Sequence, residues 1–482
     1  MNVLIINTNQ EQVPCSLLPL GACLVASATE AAGHHVQLLD LCGARAPVTA
    51  VAAAIQGAHP EVIGLSVRNL DNGVAGAPKS YLPELRTIVE ACRQYTKAEI
   101  VLGGSAVLPA AAEPLLRSVG CRLAICGEGE HAFPALLAAL ERGQSAAGIP
   151  GVVVIDNESV KITPSHACTE LSTLPDANLD RWLDLAYYRR FDAALPVQSK
   201  RGCAFRCTYC TYPLLEGAAW RLHPPEAVAE EVAKARATGL RMVDFVDSVF
   251  GVPAAHTVAC CEAIARGGSG IPLSTMDLSP AGCTPEVVAA MATAGFSAVG
   301  ISAESGSDAM LRRLGKGFGT DDLRRAARNL RALPAKKLWF FLLGGPGETE
   351  ATLRETIRFI EGLPATDLVM ISYGIRILPG TLLQTELIRD GVLEEYDDLL
   401  QPIFYQSPTT SVERVARLLA ASVFPMANVV MLHDGGHPLL PVLQRVIAWL
   451  GLQPPYWRYV PCWNRLRNFH KDVWPCERWM RS

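Results

Sequence analysis

Three cysteines stand together in the run Cys203-Ala-Phe-Arg-Cys207-Thr-Tyr-Cys210. The chain holds 15 cysteines in 482 residues, so a chance match to C-x3-C-x2-C spacing is expected far less than once. Three thiolates on one short loop can converge on a soft metal centre. A closed tetrahedral zinc site takes four protein ligands. The nearest further cysteines, Cys168 and Cys260, are remote in sequence and have no paired spacing. Three ligands on an iron–sulfur cluster would instead leave one iron open to a substrate or cofactor. The spacing thus points to a metal or cluster without naming it, and structural zinc stands as the other candidate.

Such a loop needs rigid elements on both sides. Strands are predicted at Val197–Ser199, Met242–Val246, Pro272–Met276, Ala298–Ile301, Leu338–Leu343 and Val369–Ile377. Helical segments fall between them, notably Pro225–Thr238, Pro285–Thr293, Thr320–Ala332 and Thr349–Leu363. Six βα repeats over residues 196–395 predict an α/β partial barrel of TIM type, (β/α)6, with its site at the carboxyl ends of the strands. Residues 1–150 alternate in the same way. Val3–Ile6, Val36–Leu39, Val62–Val67, Ile100–Leu102 and Leu123–Cys126 read as strands, and Gly21–Ala32, Leu82–Tyr95 and His131–Arg142 as helices. That alternation predicts a parallel, doubly wound, Rossmann-like sheet. Ligands bind such sheets at the carboxyl ends of the strands. Those ends carry Ser66-Val67-Arg68-Asn69, Gly103-Gly104-Ser105 and Gly127-Glu128-Gly129-Glu130. Each alone is an ordinary turn, and the three together predict a crevice. Residues 151–195 read as a short hairpin and linker with Pro164 and Pro175 as breakers. Residues 396–482 read as a small helical C-terminal domain.

Composition sets the class. Half of the residues are hydrophobic and 19% are charged, enough to bury sizeable cores. The net charge of −4 argues against a nucleic-acid or anionic-membrane partner. No run reaches the roughly 18 apolar residues a membrane helix needs, and Val423–Leu432 is too short. The N-terminal run resembles a buried strand more than a signal peptide. A cytoplasmic, reducing setting follows, where clustered cysteines are metal or redox groups more often than disulfides. Cys15, Cys23, Cys42, Cys92, Cys260 and Cys261 read as small core hydrophobes. His433 and His437 read as a loop, and Cys462 and Cys476 as buried or free thiols. The aromatic–basic end, with Trp457, Trp463, Arg465, Arg467, Lys471, Trp474, Arg478, Trp479 and Arg481, reads as a substrate lid or as packing against the barrel.

The cysteine spacing, with aromatic Tyr209 just before the last cysteine, resembles the signature of the radical S-adenosylmethionine (radical SAM) enzymes. That resemblance implies that Cys203, Cys207 and Cys210 hold a [4Fe–4S] cluster whose fourth iron is chelated by SAM. It further implies that SAM is contacted by Tyr209, by Asp247 and Ser248 after the second barrel strand, and by Glu304 and Ser305 after the fourth. Gly344, Gly345 and Pro346 after the fifth and Arg376 after the sixth complete that implied set. The first 150 residues resemble the cobalamin-binding domain that precedes the barrel in one subgroup. The matching pieces hold Pro19, Gly21, Ser66, Arg68, Asn69, Gly103, Gly104, Ser105, Gly127, Glu128 and Gly129. The Asp-x-His-x-x-Gly motif that supplies a histidine to cobalt is absent, as is usual in that subgroup. There, Arg68 or Asn69 would face the lower side of the corrin, and Arg68 is counted with the three cysteines as catalytic; a surface salt bridge is the alternative reading of Arg68. The resemblance implies a cobalamin-dependent radical SAM C-methyltransferase acting on a small molecule, served by an external electron donor of flavodoxin or ferredoxin type. Rearrangement or cyclisation without methylation is the alternative chemistry, and a non-catalytic cluster or cobalamin carrier the remaining one. The cofactors carry the difficult chemistry, and the protein supplies orientation and water exclusion.

Anaerobic reconstitution should load about four iron and four sulfide per chain, and Cys203→Ala, Cys207→Ala or Cys210→Ala should each abolish that loading. Iron and sulfide assays read the outcome. A full cluster in all three variants would sink the assignment.

Overall fold

The computed structural model describes residues 1–461 apart from 13–15, 157–158, 396, 424–425, 427 and 433–439. The readings made for Cys15, for His433 and His437, and for the residues from Cys462 onward fall outside the described residues.

The first sheet is built from β1 (Asn2–Asn7), β2 (His35–Asp40), β3 (Val62–Ser66), β4 (Glu99–Gly103), β5 (Leu123–Ile125), β6 (Val152–Asp156) and β7 (Ser159–Ile162), in the order β2-β1-β3-β4-β5-β6-β7. The first five strands run parallel. Val3 to Ile6 are all buried, the continuous apolar run that a strand covered on both faces requires. Helices Leu20–Ala31, Pro47–Ala58, Leu82–Tyr95, Ala112–Val119 and Gly129–Glu141 provide the cover. Strand order reverses between β1 and β3, so the crevice of this sheet opens at their carboxyl ends.

The expected hairpin after residue 150 is β6 and β7, added antiparallel to the edge of this sheet. The segment after it is packed rather than extended. Trp182 donates Nε1 to Ser27 Oγ at 2.9 Å, and Tyr188 donates its hydroxyl to Asp40 Oδ2 at 2.6 Å. Both rings are buried while their polar tips find partners, which joins this segment to the first sheet. The same core continues into Leu195 and Val243 of the second sheet.

That second sheet contains β8 (Leu195–Val197), then, after two short strands β9 (Lys200–Arg201) and β10 (Arg221–Leu222), β11 (Val243–Phe245), β12 (Leu273–Leu278), β13 (Phe296–Glu304), β14 (Lys336–Leu343) and β15 (Leu368–Tyr373). These six long-range neighbours follow one another in space as in sequence. Two features differ from the sequence reading. The segment read as one strand to Ile377 breaks after Tyr373, and β16 (Ile375–Arg376) pairs antiparallel with β17 (Phe404–Tyr405). The C-terminal region, read as helical, contains helix Val412–Ser422 and also β18 (Val429–Leu432), which adds beside β15 as a seventh parallel strand. Val429-Val-Met-Leu is a β-branched, apolar run too short for a helix, and the open sheet edge accepts it. Trp457 packs against Ala298, Leu338 and Leu368 at the amino ends of their strands. It closes the barrel opposite the cysteine loop, so for this residue packing, not a lid, is what the structure gives.

Among the described residues no helix is long and apolar enough to cross a membrane. Trp339 is fully buried mid-sheet, with Nε1 bonded to Asp367 at 3.0 Å. Trp339→Ala should destabilise the fold by about 3–5 kcal/mol, read as a lowered thermal midpoint; an unchanged midpoint would contradict this packing.

Candidate active site

The cysteine loop leaves on β9 and returns on β10, whose two-residue antiparallel ladder ties its ends together. The Cys203 amide donates to the Gly217 carbonyl at 3.1 Å, and the Cys210 amide to the Cys207 carbonyl at 3.2 Å. Thr208 donates its amide to the Leu314 carbonyl at 3.0 Å. The next residue, Gly315, lies so close to the Arg206 carbonyl that any Cβ there would collide with it. Segment 314–317 therefore presses directly on the cysteine loop. Cys203 is buried, and Cys207 and Cys210 are half-buried. Burial pushes all three thiols up, Cys210 to about 11, while the Lys316 ammonium pulls each of them down. Thiols that burial keeps protonated ionise when a cation joins them, as a bound metal centre would. Among the described residues, no three cysteine, histidine or carboxylate groups close around a point as a single metal ion requires. The donor set of three thiols on one loop fits an iron–sulfur cluster with one open iron.

Beneath the loop, Asp247 and Lys200 are fully buried and paired at 2.8 Å. Asp247 also accepts the Ser199 amide at 2.7 Å and the Ser199 hydroxyl at 2.5 Å. Its carboxylate thus holds β9. Ser248 donates its hydroxyl to the Gly202 carbonyl at 2.9 Å and pins the loop entrance.

Beside the loop, Tyr209, Glu304 and Lys316 form one group. Tyr209 donates to Glu304 Oε1 at 3.0 Å, and Lys316 reaches the same oxygen at 3.2 Å. Burial works against the Lys316 charge, but Tyr209, Glu304 and Cys207 together hold it protonated. Glu304 has a φ of 62°, a left-handed conformation that aims it off the end of β13. Ser305 is fully buried and bonded to Thr356 at 3.0 Å. Asp277, near the end of β12, keeps solvent access while the surrounding protein desolvates its carboxyl. Burial first, then Asp244 and Glu304, push its carboxyl up to about 7. Asp244 is pushed up to about 6 by burial while Ser274 Oγ donates to it at 2.6 Å.

After β14, Gly344, Gly345 and Pro346 are buried in a turn closed by Glu348, which accepts the Gly344 amide. Glu348 is fully buried, and its Oε1 has no partner. Arg376 turns to the first sheet. Its Nε bonds Asp71 at 2.8 Å and its Nη2 the Leu399 carbonyl at 2.8 Å.

At the carboxyl ends of the first sheet, Arg68 and Asn69 are exposed and Ser66 is half-buried. Ser105 donates to the Arg68 carbonyl at 2.7 Å, and Gly103 and Gly104 turn back against Val67. Pro19 precedes helix Leu20–Ala31, and Gly21 faces open space. Burial first, then Asp277, Glu216 and Cys210, push the phenol of Tyr212, two residues past Cys210, up, and the Arg68 charge opposes them. In the turn at Gly127, Glu128 and Gly129, Glu128 is buried against Arg221 at 2.6 Å.

Sequence reading missed Lys200, Arg201, Arg221, Asp244, Asp277 and Lys316. Lys316 had a local signal, since it sits between Gly315 and Gly317 in an otherwise helical stretch, and glycines mark close backbone approach. Lys200, Arg201, Arg221 and Asp244 pair across elements far apart in sequence, and Asp277 has no local motif around it.

Two family models match the chain. The B12 binding domain matches residues 11–137, and the Radical SAM superfamily matches residues 197–360. An uncharacterised methyltransferase of Pyrococcus horikoshii is 26% identical over 78% of this chain and 79% of its own length. The hopanoid C-3 methylase of Methylococcus capsulatus is 30% identical over 52% of this chain, which spans 46% of that enzyme. The tryptophan 2-C-methyltransferase of Streptomyces laurentii is 24% identical over 78% of this chain and 73% of its own. Among solved structures, the radical S-adenosylmethionine methyltransferase TsrM from Kitasatospora setae, with cobalamin and a [4Fe–4S] cluster bound, superposes with a TM-score of 0.83. That match covers 98% of this chain and 99% of the other at 22% identity, and it establishes a shared fold.

Burial pushes the Glu348 carboxyl up to about 7, against the donated amides of Gly344 and Gly345. Between about pH 4.5 and 7 the folded chain keeps a proton there that the unfolded chain releases, so this group's contribution to stability falls as pH rises through that window. Glu348→Gln should therefore melt close to the parent near pH 5 and above it at pH 8. A variant that melts below the parent at pH 8 would contradict this account.

Proposed function

We propose that this chain, which belongs to the radical SAM superfamily and carries a B12 binding domain ahead of its barrel, is a C-methyltransferase acting on a carbon of a small molecule. The observation that carries this reading is the docking of the two sheets: carboxyl-end turns of the sheet of B12-binding type pair with the barrel on the side of the thiol loop, Glu128 with Arg221 at 2.6 Å and Asp71 with Arg376 at 2.8 Å. Similarity to a hopanoid methylase and a tryptophan methyltransferase supports methyl transfer and a small-molecule substrate.

When bound, SAM, the [4Fe–4S] cluster and cobalamin supply a methyl group, an adenosyl radical that abstracts hydrogen, and a methyl carrier for a carbon that offers no nucleophile. The chain's own residues do the rest. Cys203, Cys207 and Cys210 hold the cluster, leaving one iron for SAM. Tyr209, Glu304 and Lys316 form a charged wall beside that position, in which Lys316 stays protonated and orients the Glu304 carboxylate. Gly344, Gly345 and Pro346 give a close-packed backbone floor. Ser66, Arg68, Asn69, Gly103, Gly104 and Ser105 would hold the corrin, with Arg68 supplying a cation beside it. Asp277 and Tyr212 line the space between, where the substrate sits and water is excluded. Asp247, Ser248, Ser305, Glu128 and Arg376 position these elements from behind. We place the first domain at residues 1–150 and the barrel at 196–395. An external flavodoxin- or ferredoxin-type donor reduces the cluster, and the protein works in the cytoplasm.

Product analysis tests the chemistry. Turnover with substrate should release S-adenosylhomocysteine together with 5′-deoxyadenosine. Deoxyadenosine alone would replace methylation by rearrangement, and S-adenosylhomocysteine alone would replace the radical route by polar methyl transfer.

A further inference from the structure

An arginine stands at each end of the cysteine loop: Arg201 on β9 and Arg221 on β10. Neither points into its own barrel. Arg201 pairs with Glu130 at 2.7 Å and with Glu128 at 3.3 Å, and Arg221 pairs with Glu128 at 2.6 Å. Both glutamates belong to the first sheet, in the turn that follows β5 and opens helix Gly129–Glu141. All four side chains are between 5% and 11% exposed.

The network extends further. Glu128 Oε2 accepts the Cys168 amide at 2.8 Å, and Arg221 donates to the Glu216 carbonyl at 2.7 Å. The Glu216 carboxylate in turn accepts the Gly202 amide at 3.0 Å, one residue before the first cysteine. Gly127 backs onto the loop, where a Cβ would come within 3.2 Å of the Leu215 carbonyl. Burial opposes the Glu128 charge, yet Arg221, the Cys168 amide and Arg201 hold it ionised, below the usual carboxylate range. A buried pair of this kind tolerates loss of one partner poorly, because the other charge stays behind without compensation.

We propose that Glu128 and Glu130 are positioning residues for the cysteine loop, so that the docked first domain sets the geometry in which the three thiols hold their cluster. This rests on the cluster reading above. Its consequence is linkage: if the first domain braces the loop, whatever orders that domain also stabilises the cluster, and the coupling is reciprocal. The turn Gly127-Glu128-Gly129-Glu130 is then a clamp between domains and not a corrin contact.

The test uses the full chain. Glu128→Gln/Glu130→Gln and Glu130→Gln are compared with the parent and with Glu113→Gln, whose carboxylate pairs with Arg117 on an exposed helix face. Each is reconstituted anaerobically. Iron per chain, the electron paramagnetic resonance line shape of the reduced cluster, and the rate of iron loss to a ferrous chelator are read with and without hydroxocobalamin. The double variant should lose iron at least tenfold faster than the parent and show an altered line shape. Glu130→Gln should fall between them, and it carries the test alone if the double variant does not fold. Hydroxocobalamin should slow iron loss in the parent and in Glu113→Gln but not in the double variant. Parent-like release and line shape in the Glu128 and Glu130 variants would overturn the proposal. A parent that takes up no cluster would overturn the cofactor reading instead.

Discussion

Lys200 and Asp247 lie fully buried at 2.8 Å, directly under the cysteine loop. A charge in such a place must keep its partner. Asp247 follows β11, so the pair fixes the start of the loop to the barrel. The next residue along, Arg201, does the opposite. Successive side chains of a strand point to opposite faces, and Arg201 leaves β9 toward Glu130 of the first sheet. Two residues therefore hand two cations to two different domains, and the first cysteine comes two positions later. Everything the loop presents inherits its placement from those pairs. The Arg376–Asp71 pair at 2.8 Å repeats the theme on another part of the junction, again between barrel and first sheet.

Within the crevice so defined, the charges are unevenly distributed in a useful way. Lys316 is the cation pressed against the loop, and its partners Tyr209 and Glu304 make it permanent. Asp277 makes no hydrogen bond or ion pair through its side chain among the described residues, and burial first, then Asp244 and Glu304, push its carboxyl up to about 7. One wall is thus saturated and rigid, and the other keeps a carboxyl in reserve near neutral pH. The barrel is closed at its far end by Trp457. Access is left to the carboxyl ends of the strands, where the two sheets meet.

Much of this was legible in the sequence, for identifiable reasons. The strands of both sheets are short apolar runs with glycine or proline punctuation, so their periodicity announced them. The cysteine spacing is local and rare, and it needed no fold to be noticed. The roles of Asp247, Glu128 and Arg376 were not legible. Each sits in a segment with a binding-type pattern, but each side chain is consumed by a partner between 47 and 305 residues away. Sequence pattern reports which residues end a strand; it does not report which buried charge elsewhere will claim them. The seventh strand, β18, was missed for a related reason. A four-residue apolar run has no period of its own, and only the open edge beside β15 makes it a strand.

The central claim is that one chain holds a cobalamin and a cluster on opposite walls of a single crevice. Power-saturation electron paramagnetic resonance of the reduced cluster, with and without bound cob(II)alamin, measures this most directly. Faster cluster relaxation when the paramagnetic cobalt is present is the result this structure predicts. Identical relaxation in both states would contradict it, because it would put the two centres about a domain diameter, ~30 Å, apart.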